Sequence, residues 1–240
     1  MMRTADVLSP IRRALPAALP VMLGYVVIGL PAGILEAEVG LEPWMVFMLS
    51  CTYYSGAGQF MLPNLWLAGQ GFWSIGASIS LVNMRQLLYS AAFAPAMARV
   101  PRPLKALFAA TVTDESFGVN MARFASDPSW DAACATAVNV LSMLSWATAN
   151  AVGAVVGDAL AMPTDVASFA MTSIFVCLLL TQEFSRPTAA CAVTAAVVVA
   201  LCKVAGVGGV AVVAGAVAGV AVAMVVGGAG ESRACEDGGA

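Results

Sequence analysis

Long apolar stretches separated by short polar breaks run along nearly the whole chain. A spanning helix needs about 20 apolar residues, and stretches that qualify lie at about 15–35, 44–68, 72–98, 132–157, 166–184, 187–203 and 207–228. The stretch at 104–125 is long enough too, but Asp114 and Glu115 fall near its middle. This pattern predicts an all-α, polytopic integral membrane protein with about seven or eight transmembrane segments, at least one of them broken or re-entrant. The breaks leave no room for a soluble module, so residues 15–230 read as a single helical transmembrane domain. A cytoplasmic leader at 1–14 precedes it, and a polar, flexible tail at 231–240 follows it. Trp44, Trp66, Trp73 and Trp130 fall near segment ends, where indole rings settle at the lipid interface, whereas Trp146 lies mid-segment.

Composition agrees with the pattern. Sixty per cent of the residues are apolar and 10% are charged, whereas a soluble domain is about one quarter charged because water must wet its surface. The net charge of −3 implies little about partners, and no basic patch suggests nucleic acid. There is no histidine, which removes the commonest general base and metal ligand together. The 6 cysteines are scattered, none in a CxxC pair, and read as small buried hydrophobes. No cofactor or metal is implied, and no Walker motif points to ATP use. An intramembrane enzyme would have only carboxylates to work with.

Charge placement sets a topological puzzle. Arg3, Arg12 and Arg13 precede the first apolar stretch and put the N-terminus in the cytoplasm of a prokaryotic inner membrane, and Arg99, Arg102 and Lys105 belong on that same side. Glu36, Glu38 and Glu42 sit in the first break, compatible with the outside. An even number of crossings must then separate Arg13 from Arg99, yet three stretches lie between them. A broken or re-entrant segment within 44–98 removes the conflict; the alternative is that the basic cluster disobeys the rule.

Three polar clusters interrupt the apolar stretches. The first is Tyr53-Tyr54-Ser55-Gly56-Ala57-Gly58-Gln59-Phe60. Each glycine costs a helix about 1 kcal/mol relative to alanine, and with Ser55 and Gln59 the pair favours a local break. Unwound backbone at membrane depth must meet protein, water or substrate, and transporters use such broken helices to hold charged substrate ends. Close packing of a neighbouring helix on Gly56 and Gly58 is the plainer reading. The second cluster is Asn83-Met84-Arg85-Gln86-Leu87-Leu88-Tyr89. An arginine this deep needs a partner or a water-filled cavity, and Arg85 shares a helix face with Tyr89. The third cluster, with Thr111, Thr113, Asp114, Glu115, Ser116 and Asn120, supplies that partner. A solvated amphipathic surface helix over 104–125 is its plainer alternative.

Together, one arginine, two carboxylates and a glycine-broken helix suit a zwitterion. Arg85 or exposed backbone N–H groups receive its carboxylate, and Asp114 or Glu115 its ammonium. The same acids are then the candidate proton-coupling groups, since burial can raise a carboxylate's pKa. In the last span, Gly215 and Gly219 stand four apart, as in a helix-packing motif that biased composition also produces by chance.

At these clusters the sequence resembles the AzlC-type permeases, the large subunits of bacterial branched-chain amino-acid exporters, which include YgaZ-like proteins. The likeness rests on Tyr54-Ser55-Gly56-Ala57-Gly58-Gln59-Phe60, Asn83-Met84-Arg85-Gln86-Leu87-Leu88-Tyr89 and Thr113-Asp114-Glu115-Ser116-Phe117, with Leu19-Pro20-Val21-Met22-Leu23-Gly24-Tyr25 ahead of them. Beyond residue 130 it is mainly hydropathy. The resemblance implies export of leucine, isoleucine, valine or a related neutral amino acid, driven by an ion gradient. It also implies a small multi-span AzlD-type partner subunit; a homo-oligomer is compatible with the same surface. The three clusters make Tyr54, Ser55, Gly56, Gly58, Gln59, Asn83, Arg85, Gln86, Tyr89, Thr113, Asp114 and Glu115 the candidate substrate-binding residues. Gln86 departs from the aromatic or histidine that many members carry. A transporter or channel for another small polar solute is the alternative.

Overall fold

The computed structural model describes residues 4–160, 185–206 and 211–237, with single positions in between. In chain order the helices are α1 (Thr4–Glu38), α2 (Pro43–Thr52), α3 (Gly56–Leu67), α4 (Phe72–Ala92), α5 (Arg102–Thr111), α6 (Asp114–Ser126), α7 (Ala132–Leu160), α8 (Arg186–Val204) and α9 (Ala211–Asp237). The predicted stretch at 166–184 falls almost wholly outside the described residues. Among the described residues, three helices are long and apolar enough to cross a membrane, within α1, α7 and α8. Two predicted stretches, 44–68 and 104–125, are each divided into a pair of short helices.

The chain forms two compact units. The first, residues 1–64 and 82–172, is built on the pairing of α1 with α7. These helices run parallel: Ser145 Oγ donates to the Met22 carbonyl at 2.9 Å, Gly29 faces Ala149, Gly33 faces Asn150, and Gly157 faces Ile34. Small residues let the backbones approach this closely, which is how helices associate where lipid supplies no hydrophobic drive. Arg13 lies toward one end of α1 and Glu36 toward the other, with Tyr25 between them, about 17 Å from each at 1.5 Å per residue.

On this frame α2 and α3 form an open hairpin, bent at residues 53–55 with little packing between its two arms. Ser55 ends the break by capping α3, its Oγ accepting from the Gly58 N–H at 3.1 Å. Tyr54, in the break, stacks edge-on against Tyr25, with centroids 6.3 Å apart. Yet Gln59 Nε2, one turn into α3, donates to Ser50 Oγ on α2 at 2.8 Å and to Glu36 Oε1 at 2.9 Å. A straight helix would put residues 50 and 59 about 13 Å apart, so α3 turns back toward the end of α1 from which α2 came. An added Cβ on Gly58 would overlap the Tyr53 hydroxyl and sit 2.9 Å from Ser55 Oγ, so these side chains would have to shift to admit one.

The α5–α6 pair makes the second hairpin, entering from the opposite end. The β-branched run Thr111-Val112-Thr113 breaks the helix, and Thr113 and Ser116 cap α6 reciprocally in a capping box. Both arms lie near the Arg13 end. Phe108 of α5 and Phe117 and Phe124 of α6 all pack on Phe93, in a cluster that includes Ala14, Ala17, Met97 and Val138. The hairpin tip reaches up to Tyr25, and the chain returns to Asp127, which pairs with Arg13 at 3.5 Å.

The second unit, residues 65–81 and 173–240, contains α8 packed on α9. Gly215 and Gly219 do serve as close-packing positions here: a Cβ on them would lie 2.7 Å from Val199 Cγ2 and 2.9 Å from the Cys191 carbonyl. Trp130 departs from the interfacial expectation. It is buried, under the Arg123 guanidinium at 5.5 Å from its centroid. Glu36 departs too, standing fully buried inside α1 rather than in a polar break.

Candidate functional site

The two hairpin tips meet on Tyr25. Its hydroxyl donates to Glu115 Oε2 at 2.6 Å and shares a 2.7 Å hydrogen bond with Thr113 Oγ1. Its ring lies edge-on to Tyr54 of the other tip and to Trp146 of α7, 5.4 Å away. The Tyr54 hydroxyl is buried at this junction without a hydrogen-bond partner. Each tip ends one helix and begins another, so each carries a partly positive N-terminus, α3 at Gly56 and α6 at Asp114. First-turn N–H groups have no partner within their own helix. At α6 that positive end is already met by Asp114 and Glu115. At α3 no acid sits in the first turn.

From Asn83 onward, α4 lines both tips. Ser55 Oγ donates to Asn83 Oδ1 at 2.6 Å, and Asn83 Nδ2 donates to the Tyr53 hydroxyl. Gln86 Nε2 reaches the Tyr54 carbonyl at 3.4 Å, tying α4 to unwound backbone. Next to Gln86 in the chain, about 100° around the helix, Arg85 forms an ion pair with Asp114 of the other tip, Nη1 to Oδ2 at 2.6 Å. The pair is open to its surroundings, with 43% and 37% of the two side chains exposed. The arginine therefore finds its partner in the third polar cluster, and neither member is locked away from a ligand.

Eleven of the twelve candidate residues gather around the tips: Tyr54, Ser55, Gly56, Gly58, Asn83, Arg85, Gln86, Tyr89, Thr113, Asp114 and Glu115. Tyr89 hydrogen-bonds Asp114 while its ring stacks on Phe117, with centroids 4.7 Å apart. One points elsewhere. Gln59 turns away from the tip into a fully buried polar network. Its Oε1 accepts from the Trp146 indole at 2.6 Å while its Nε2 serves Glu36 and Ser50, and Asn150 Nδ2 donates to Ser50 Oγ at 3.3 Å. This explains why Trp146 sits mid-segment. Tyr25, Glu36, Ser50 and Asn150 were missed as site residues; Asn150 carried a readable signal, as a polar group well inside an otherwise apolar helix. No group of histidine, cysteine, aspartate and glutamate side chains able to hold a metal occurs among the described residues.

A family model described as "AzlC protein" matches residues 20–160, which is more than half of the 240 residues and spans both hairpins and α7. The chain belongs to the AzlC family. It is 28% identical to the inner membrane protein YgaZ of Escherichia coli over 193 residues, 78% of each chain. An uncharacterized membrane protein of Helicobacter pylori J99 is 27% identical, covering 76% of this chain and 79% of its own. The branched-chain amino acid transport protein AzlC of Bacillus subtilis is 23% identical over 76% of this chain and 71% of its own. No solved structure matches. As an AzlC-family member with apolar spanning helices, the protein is an all-α integral membrane protein.

Proposed function

We propose that this AzlC-family chain is the permease subunit of an exporter for branched-chain or related neutral amino acids, assembled with a small multi-span AzlD-type subunit. The observation that carries the reading is the meeting of two oppositely entering hairpins at Tyr25, with Arg85, Asp114 and Glu115 beside a helix N-terminus that has no acid of its own. A free amino acid brings one negative and one positive end. Its carboxylate suits Arg85 and the N–H groups of Gly56 and Ala57. Its ammonium suits Glu115 and the Asp114 released from Arg85. Binding thus exchanges the Arg85–Asp114 pair for two, so neither Arg85 nor Asp114 is left without an opposite charge. The apolar side chain would lie against the aromatic rings of Tyr25 and Tyr54.

The hairpins also supply a means of alternating access. Withdrawal of α2–α3 opens the tips toward the Glu36 end of α1, and withdrawal of α5–α6 opens them toward the Arg13 end. Arg13, Arg99, Arg102 and Lys105 then share the cytoplasmic side, with the N-terminus, because a hairpin that returns contributes no net crossing.

The test is efflux of preloaded radiolabelled leucine and valine from cells expressing the chain with its small membrane subunit. Arg85→Ala and Asp114→Asn, at matched membrane levels, are expected to abolish efflux. Efflux untouched by both would place the site elsewhere, and no efflux from wild type would sink the substrate class.

A further inference from the structure

Glu36 is the buried acid that the zwitterion site does not use. It is fully enclosed, and α2, α3 and α7 supply its surroundings: Ser50, Gln59, Trp146 and Asn150. The donor-only indole of Trp146 holds the Gln59 amide so that its NH2 group, not its oxygen, faces Glu36. One carboxyl oxygen, Oε1, is therefore satisfied. The other, Oε2, has no hydrogen-bond partner, and neither has the nearby network member Asn150 Oδ1. Among the described residues, no charged group on these elements acts on Glu36, and the ion pairs are elsewhere. An acid sealed from water with no cation beside it is tolerable only when neutralised. Two orphaned oxygens in one network call for a donor, and a proton on Oε2 is the smallest that serves.

We propose that Glu36 carries the coupling proton, and that the α2–α3 hairpin is the cover that closes over the protonated acid. Glu36 lies near the end of α1 opposite Arg13, on the side that the transport reading makes external. An O–H bond forms at Oε2 with a proton from external water while the hairpin is lifted, and the neutral carboxyl is then buried under Gln59 and Ser50. When the α5–α6 hairpin withdraws and inner water reaches the network, the O–H bond breaks and the proton passes to that water. One proton enters for each turnover that expels an amino acid. This rests on the transport reading above and adds the coupling ion and its residue.

Two measurements test it separately. In the infrared spectrum of the purified full chain in liposomes at neutral pH, wild type is expected to show a protonated-carboxyl C=O stretch that Glu36→Gln lacks. Absence of that band overturns the proposal. So does a band that disappears when sodium chloride replaces choline chloride, which would make the site a sodium site. In membrane vesicles containing the chain with its small subunit, a gradient of about one pH unit supports about tenfold leucine accumulation through a one-proton carrier. Glu36→Gln should bring that ratio to about one while leucine counterflow, which needs no net proton movement, continues. Accumulation retained by Glu36→Gln overturns the proposal. Counterflow absent from wild type defeats the substrate reading alone, because the infrared band still decides the proton. If Glu36→Gln does not fold, Glu36→Asp serves instead, with a displaced C=O band expected and an unmoved one contrary.

Discussion

The seam between α1 and α7 offers the sharpest test of the fold. Gly33 lies so near the α7 backbone that an added Cβ would overlap the Asn150 carbonyl oxygen and stand 2.7 Å from its carbon and 2.9 Å from the Ala154 nitrogen. Ordinary contact begins at 3.4 Å, and a helix backbone cannot rotate aside as a side chain can. Gly33→Ala therefore sets two terms against each other. Alanine gains about 1 kcal/mol of helix propensity. Overpacking costs about 1–3 kcal/mol, and more where the neighbour is rigid. The cost spreads, because a gap of about 0.5–1 Å forfeits a quarter to a half of each contact along the seam. Gly29 on Ala149 and Gly153 on Leu30 would loosen with it. A net loss of about 2 kcal/mol is expected, or about 4–8 °C in Tm for a chain of this size. Gly24→Ala is the control, since nothing lies within 4 Å of its added Cβ, and it should melt at or above wild type. Thermal unfolding of purified protein in detergent reads both. If Gly33→Ala melts with Gly24→Ala, the helices are not packed as described and the buried network between them loses its support.

Tyr25→Phe removes the hydroxyl that joins Thr113 and Glu115, so the buried Thr113 hydroxyl loses a partner at a cost of about 1–3 kcal/mol; leucine efflux should fall at least fivefold with the protein still folded. Arg85 and Asp114 are both more than a third exposed, so a double-mutant cycle on stability should give a coupling below about 1 kcal/mol, although each single change stops efflux. In a cysteine-free background, Lys105→Cys and Ser129→Cys should label from the same side of the membrane and Gly40→Cys from the other, as the two hairpins require. Asp127, outside the spans, is held below the usual carboxylate range first by hydrogen bonds from Ser129 and then by Arg13. A depressed acid contributes stability above its unfolded pKa and loses it as pH falls through the folded one; thermal stability should decline on acidification below about pH 4, and Asp127→Asn should flatten that part of the profile.

Much of the candidate site's geometry was legible because polar side chains inside apolar stretches are rare. Arg85 needed a partner, and Asp114 was the nearest acid in the pattern. Gly56 and Gly58 marked a break because two glycines weaken any helix. Glu36 was misread because it stands two residues before Glu38 in a run that looks like a polar break, and only the overlying α2–α3 hairpin shows it to be interior. Gln59 was placed at the tip by its position in the motif, yet the indole of Trp146, distant in sequence, turns it the other way.

The sequence by itself determined the solvent, the helices and the places where they break. Those follow from local terms: apolar length, glycine and β-branched runs, capping residues and the cost of an unpaired charge. Whether a broken stretch continues or folds back is not local, because the same 44–68 composition permits both. The choice was made by contacts across the chain, Gln59 to Glu36, Tyr25 to Thr113 and Arg13 to Asp127. On the proposed topology the first of these removes the conflict between the basic clusters, because it turns α3 back toward the end where α2 began. Only the tertiary structure could decide this, since it depends on which distant groups satisfy one another where no water can.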